Sequence, residues 1–228
     1  NLQDPVDTAV RWLRDNLFEF EVGPFLLGTR PFSNFIIIRL LNPLDRLLQE
    51  QLSWPAIILL AGLAGYWVSG WRLAVGSTVV LFGIGLLGMW QLAMVTLSQV
   101  IVAVFFSLLL AIPLGIWAAK SDTAAAILRP ILDFLQTIPA FVYLVPVVML
   151  FNVGRVPGIM ASVLYALPPA IRLTNLGIRQ ASPEAVEAAQ AFGSTSRQLL
   201  LKVQLPLALP SIMAGINQTV MMVLAMVV

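Results

Sequence analysis

Apolar residues along this chain come in long uninterrupted runs, and the charged residues mark where each run ends. No charged side chain occurs over the 21 positions of 51–71, the 47 of 73–119, the 21 of 134–154, the 16 of 156–171 or the 26 of 203–228. A helix that crosses a bilayer needs about 20 predominantly apolar residues. The longest interval therefore holds two helices, expected to part around residues 91–98, and the whole pattern predicts about six membrane spans. The 156–171 run is the weakest, being short and carrying Pro157, Pro168 and Pro169. Its helix is expected to continue through Arg172 toward Gly177.

The first 50 residues follow another pattern. Arg11, Arg14, Arg30, Arg39 and Arg46 stand against seven acids there, a balance of −2. Asp4-Pro5 has the form of a helix start, an N-cap followed by a first-turn proline. Val6, Val10, Leu13, Leu17 and Phe20 then recur at spacings of three and four, which predicts one apolar stripe. Leu40, Leu41, Leu44, Leu47 and Leu48 predict a second amphipathic helix. Both are expected to lie on the membrane surface, the alternative being a specific docking role. The chain starts at Asn and stops inside an apolar run, so it reads as a truncated piece of a longer membrane protein.

Composition sharpens this picture. Hydrophobic residues make up 59% of the 228 and charged residues only 11%, against about 25% charged in a typical soluble domain. This is an integral membrane protein of all-α class. The deficit excludes most soluble enzymes and nucleic-acid-binding domains, and a net charge of +2 says little about partners. The chain has no His and no Cys, which removes disulfide scaffolds, Cys/His zinc sites and His-dependent nucleophilic catalysis together.

Orientation follows from Arg and Lys. If the loop over 173–202, with Arg179, Arg197 and Lys202, faces the cytoplasm, alternation puts Arg72, Lys120 and Arg129 there too. Only Arg155 then falls outside, as the positive-inside rule requires. The same parity places the N-terminal tail outside.

The most informative stretch is 182–206. Ser182-Pro183-Glu184 combines a hydroxyl cap, a first-turn proline and an early acid, a strong helix start. Ala185, Ala188, Ala189 and Phe192 share one face, and Gly193 is expected to end the helix at positive φ. Thr195 with Gln198 can form a capping box for the next helix. The first of these helices is too short to span a membrane. Read from composition alone, it is an amphipathic linker resting among lipid headgroups.

The residue order adds to that. Glu187-Ala188-Ala189, then Gly193, then Val203 and Leu205-Pro206 match the EAA signature of permease subunits of ABC importers, with Val203 where Ile is usual. Arg129-Pro-Ile-Leu-Asp133, Gln136-Thr-Ile-Pro-Ala-Phe-Val-Tyr-Leu-Val-Pro146 and Leu167-Pro-Pro-Ala-Ile-Arg172 resemble the glycine betaine/proline branch of that family. So does the run from Lys202 to Thr219. The resemblance is strong from about Gln91 to Val228 and weaker before it. It implies a type I ABC importer transmembrane domain with about six spans visible. Residues 1–50 would be the amphipathic tail, 51–90 two peripheral spans and 91–228 the permease core. Within that core, 183–193 would be the coupling helix that sits in a cleft of an ATPase subunit. The resemblance further implies a second permease chain, two ATP-binding subunits that hold ATP and Mg, an external substrate-binding protein and surrounding lipid. It implies no cofactor or metal in this chain, no nucleic-acid partner, and a place in the bacterial inner membrane.

Candidate pathway residues come from the 134–154 run. Gln136, Thr137 and Pro139 stand near its start and Pro146 interrupts it again. Proline removes a backbone donor and disfavours helix at the residue before it. Broken helices at membrane depth occur where backbone is buried in protein or lines a cavity. Phe141 and Tyr143 could offer aromatic faces to a quaternary cation, or belong to an interfacial aromatic belt. Asn217 in the last run, with Gln218 and Thr219, raises the same question. Asp133 is explained most economically by an ion pair with Arg129 one turn back.

Two other classes compete. A proton- or sodium-coupled secondary transporter would want an acid inside a span, and no charge-free run contains one. An intramembrane hydrolase would need a nucleophile with a base, and only Lys120 or Lys202 could complete a Ser-Lys dyad. No Walker A sequence occurs, so the energy of ATP would have to come through a partner.

Overall fold

The computed structural model describes residues 20–22, 25–27, 29–151 and 153–227, with side chains from Thr29 onward. The chain folds as two compact units divided between Val102 and Ala103.

The first unit opens with a short antiparallel hairpin. Strand β1 (Phe20–Val22) pairs with β2 (Phe25–Leu27), Glu21 opposite Leu26. The stripe expected from Val6 to Leu17 lies outside the described residues, and Phe20 begins a strand rather than continuing a helix. Apart from this hairpin, the regular elements among the described residues are helices.

Helix α1 (Thr29–Gln51) contains two π turns, Ile37–Leu41 and Leu47–Gln51. The first ends two residues before Pro43. The ring of an internal proline collides with the carbonyl four residues back in an α-ladder, and a wider turn before it relieves the conflict. The π turns also change which side chains share a face. Ile36, Leu41 and Leu48 are buried, whereas Leu47 is exposed, so the five leucines do not form one stripe as expected. Leu48 packs with Ile57 and Met94, and buried Ser98 donates to the Asp45 carboxylate at 2.7 Å.

Two short apolar helices follow, α2 (Trp54–Ser69) and α3 (Trp71–Leu86), of 16 residues each. Gly70, at φ +84, makes the reversal between them. Their close approach needs small residues: a Cβ on Gly62 would stand 2.7 Å from Thr78 Oγ1. Helix α4 (Trp90–Lys120) then runs for 31 residues. The break inside the long apolar interval is therefore at residues 87–89, with Gly88 at φ +71, a few positions before the 91–98 expected. A glycine in the left-handed region stops a helix where the polarity pattern shows nothing.

The second unit is built on α7 (Arg155–Arg179), a helix of 25 residues in which fifteen are buried, Pro168 and Pro169 included. It extends well past Arg172, as its sequence suggested. Against it pack α5 (Asp122–Thr137), α6 (Ala140–Phe151) and α9 (Ser196–Val227). Helix α9 buries Ala208, Ile212, Gly215, Thr219 and Val223, one stripe at spacings of three and four. Small residues set the fit. A Cβ on Gly177 would meet Ser211 Cβ at 2.7 Å, and one on Gly115 of α4 would meet Thr174 Cβ at 2.6 Å. Lipid tails supply no hydrophobic drive between helices, so close van der Waals contact of this kind holds membrane helices together. Thr219 Oγ1 adds a 3.4 Å bond to Ala166 O beside the two prolines.

Among the described residues three helices are long and apolar enough to cross a membrane, α4, α7 and α9, or five if each sharply bent pair counts as one crossing. Helix α3 is a further, shorter apolar helix, so each stretch expected to hold one of the six spans carries an apolar helix. Helices α2 and α3 have 16 residues each and α6 only 12, all short of the roughly 20 that a straight crossing needs. The pair α5–α6 bends by 100° at its break.

Candidate functional site

Three places carry the residues singled out in the sequence: a short helix beyond α7, the break between α5 and α6, and the exposed side of α9.

The short helix, α8 (Pro183–Ala191), has nine residues and is about 14 Å long at 1.5 Å per residue. Both ends are closed by local chemistry. Ser182 Oγ accepts from the Ala185 N–H at 3.3 Å and donates to Glu184 Oε2 at 2.8 Å. At the other end the Gly193 N–H donates to Gln190 O at 2.9 Å and the Ser194 N–H to Ala189 O at 3.1 Å. With Gly193 at φ +77, this is the Schellman pattern, which satisfies carbonyls the helix ladder leaves open. Beyond its two chain neighbours, a Cβ on Gly193 would meet nothing within 4 Å, so it is the backbone angle that favours glycine here.

No residue of α8 is buried. Glu187 and Ala188 are exposed, Ala189 partly so, and Phe192 is 91% exposed. The helix is thus well formed without a core of its own. The chain then turns at Thr195, where the capping box with Gln198 is complete. Leu200–Gln204 is a π turn that includes Val203, and its wide ladder carries Leu205 N–H to Leu200 O before Pro206. This arm is anchored: Leu200 and Leu205 pack with Ile178, Ala208 and Ile212. Helix α8 therefore projects from a packed base.

At the second place α5 ends at Thr137 and α6 starts at Ala140, with Pro139 in the break. Gln136, Thr137 and Pro139 are exposed, and Phe141 is 80% exposed. Tyr143 turns the other way. It is 7% exposed, its hydroxyl donates to Leu135 O, and its ring lies 6.4 Å from that of Tyr165. The structure thus leaves Gln136, Thr137 and Phe141 exposed around the break and holds Tyr143 inward, bracing it. Asn217 and Gln218 are exposed on α9, off the stripe that packs on α7, whereas Thr219 is buried in it.

A cleft of about 700 Å³ lies between the end of α4, α5 and the second half of α7. Two ion pairs cross it. Asp133 pairs with Arg172, and Asp122 with Arg179 at 2.7 Å. The local Asp133–Arg129 pair expected from i, i+4 spacing is replaced by the interhelical one, since α7 presents Arg172 directly opposite. In the sequence Arg179 counts only as a loop charge that sets orientation, although an arginine closing a helix just before the α8 loop is a legible signal of a further contact. Its bonds bring the last turn of α7 against the α4–α5 junction.

A family model described as binding-protein-dependent transport system inner membrane component matches residues 111–228. The glycine betaine/proline betaine transport system permease protein ProW of Escherichia coli is 52% identical over 174 residues, 76% of this chain and 49% of that protein. The glycine betaine/carnitine transport permease protein GbuB of Listeria monocytogenes is 50% identical over 77% of this chain and 63% of its own length. The glycine betaine transport system permease protein OpuAB of Bacillus subtilis is 48% identical over 75% and 60%. The chain spans about half to three fifths of the length of these relatives. The family match takes in α8, its anchored arm, the α5–α6 break and α9, and the chain belongs to the binding-protein-dependent transport system inner membrane components, as a multi-pass protein of the inner membrane.

Proposed function

We propose that this chain is the non-catalytic transmembrane subunit of an ATP-driven importer for glycine betaine or a related quaternary amine. The observation that carries the reading is α8: a helix capped at both ends, with no buried residue and an exposed Phe192, on a base packed into the core. Such a helix is complete as a shape and incomplete as a surface. The fitting occupant of that surface is a cleft on an ATPase subunit, with Glu187, Ala188, Ala189 and Gly193 as the contact and Val203, Leu205 and Pro206 setting the arm behind it. The importers named for the relatives support glycine betaine as the solute class.

The partners follow from the same reading. Two copies of the permease would pair, each engaging one ATPase subunit that binds ATP and Mg, and a binding protein would deliver solute from outside. ATP binding closes the ATPase pair, α8 moves with it, and the spans reopen toward the binding protein. The nucleotide shifts the equilibrium because it favours one of the two states. Gln136, Thr137, Pro139, Phe141 and Asn217 would face the pathway, with Tyr143 bracing its wall.

The test is reconstitution of the permease in proteoliposomes with its ATPase and binding protein. Uptake of labelled glycine betaine that requires ATP and both partners supports the reading. Uptake driven by a proton or sodium gradient without ATP contradicts it.

A further inference from the structure

We infer that Arg179 is a positioning residue that ties α8 to the α4–α5 junction, so that movement of the short helix is passed to two spans at once. The inference rests on the coupling role proposed for α8 and names the route by which it would act.

Arg179 is the last residue of α7, and only Gln180, Ala181 and Ser182 separate it from α8. Its guanidinium makes three contacts with three parts of the fold. One Nη donates to Ala118 O at 2.8 Å and pairs with Asp122 at 2.7 Å, and Nε donates to Asn175 Oδ1 at 2.9 Å. Ala118 is almost fully buried, in the last turn of α4, where the final carbonyls lack intrahelical partners. Asp122 begins α5. The planar guanidinium, with five donors in a fixed fork, suits this task in a way a lysine ammonium does not. A cation there also suits the negative ends of both α4 and α7.

The other side of the α8 loop is held differently. Leu200 and Leu205 join it to Ile178 and α9 by apolar contact, with Ile116 and Ala119 of α4 packed against the same cluster. Apolar packing tolerates sliding, whereas a fork of directed bonds is kept or broken. Moving α8 therefore either carries the α4–α5 junction along or breaks the Arg179 contacts.

The test uses the complete importer with the full-length permease. The 228 residues contain no cysteine; with any cysteine elsewhere in the complex replaced, single cysteines at Thr123 and Gln190, both exposed, carry spin labels. Label separation is compared in the nucleotide-free and ATP-bound states. With Arg179 intact the separation stays constant between states, and with Arg179→Gln it changes. In the same samples Arg179→Gln lowers solute uptake and the stimulation of ATP hydrolysis by loaded binding protein by at least about fivefold, the lower edge of typical coupling between sites. Basal hydrolysis and assembly are retained, and Arg179→Lys recovers only part of the stimulation. Asp122→Asn does less than Arg179→Gln, because the Asp122 side chain is 92% exposed. A separation that changes between states with Arg179 intact overturns the inference. So does an Arg179→Gln complex with wild-type stimulation, or one whose uptake and basal hydrolysis fall together in proportion to assembled complex, which marks a purely structural staple. Absence of ATP-driven uptake in the wild type points instead to failure of the proposed function.

Discussion

Asp133 on α5 reaches across to Arg172 on α7, 39 positions further along the chain, and not to Arg129 one turn back on its own helix. Both side chains are about half exposed, 59% and 42%, so the pair contributes under about 1 kcal/mol to the stability of this chain. Its consequence is registration of α5 against α7. Thermal unfolding of the detergent-solubilised protein should place Arg172→Gln below Arg129→Gln in stability, with Asp133→Asn matching Arg172→Gln. The reverse order would return the pair to a single helix.

Glycine contacts give a second contrast. Gly115→Ala would bring a Cβ to 2.6 Å from Thr174 Cβ and 2.9 Å from Ile171 O, and Gly177→Ala would bring one to 2.7 Å from Ser211 Cβ. Overpacking of this kind costs about 1–3 kcal/mol. Gly76, on α3, has nothing within 4 Å of an added Cβ, and alanine there should gain about 0.5–1 kcal/mol of helix preference. Melting curves of the three variants should therefore move in opposite directions. Equal shifts would mean that the α4–α7 and α7–α9 approaches are looser than described.

Phe192 separates folding from assembly. At 91% exposed its side chain adds almost nothing to the stability of the isolated chain. Burial of a phenylalanine in a partner's cleft is worth about 1.5–3 kcal/mol. Phe192→Ala should leave the melting curve unchanged and weaken binding of the ATPase subunit roughly tenfold or more, since about 1.4 kcal/mol is a factor of ten. Titration of labelled ATPase onto immobilised permease measures this. Unchanged affinity would place Phe192 outside the contact.

Much of this architecture was legible in the residues, for reasons that differ from one element to the next. Charge-free runs locate membrane helices because an unpaired charge in lipid is expensive. The ends of α8 were readable because Ser182, Pro183 and Gly193 act locally, on backbone groups within a turn. The break at Pro139 was readable for the same reason. What escaped depends on geometry that periodicity does not encode. The π turns before Pro43 and Pro206 rotate the following side chains, so Leu47 leaves the buried face that a 3.6-residue repeat assigns it. Gly88 stops a helix within an apolar run that shows no polarity change. Arg172 and Arg179 find partners on other helices, and Tyr143 turns inward to Leu135 although its neighbour Phe141 faces out.

The account stands or falls on α8 as the link to the ATPase, and Gly193 tests it most directly. Its φ of +77 lies in the left-handed region, and beyond its chain neighbours a Cβ there meets no atom within 4 Å. Left-handed backbone costs an ordinary residue about 1–2 kcal/mol, and Asp visits it more readily than most. Gly193→Asp should therefore leave the helix end formed and the protein inserted, while placing a charge in the proposed contact. ATP hydrolysis is measured in proteoliposomes with and without loaded binding protein, beside uptake of glycine betaine. The account predicts normal insertion with uptake and stimulated hydrolysis both lost. Uptake and stimulation at wild-type levels would contradict it, and α8 would then be a linker at the membrane surface.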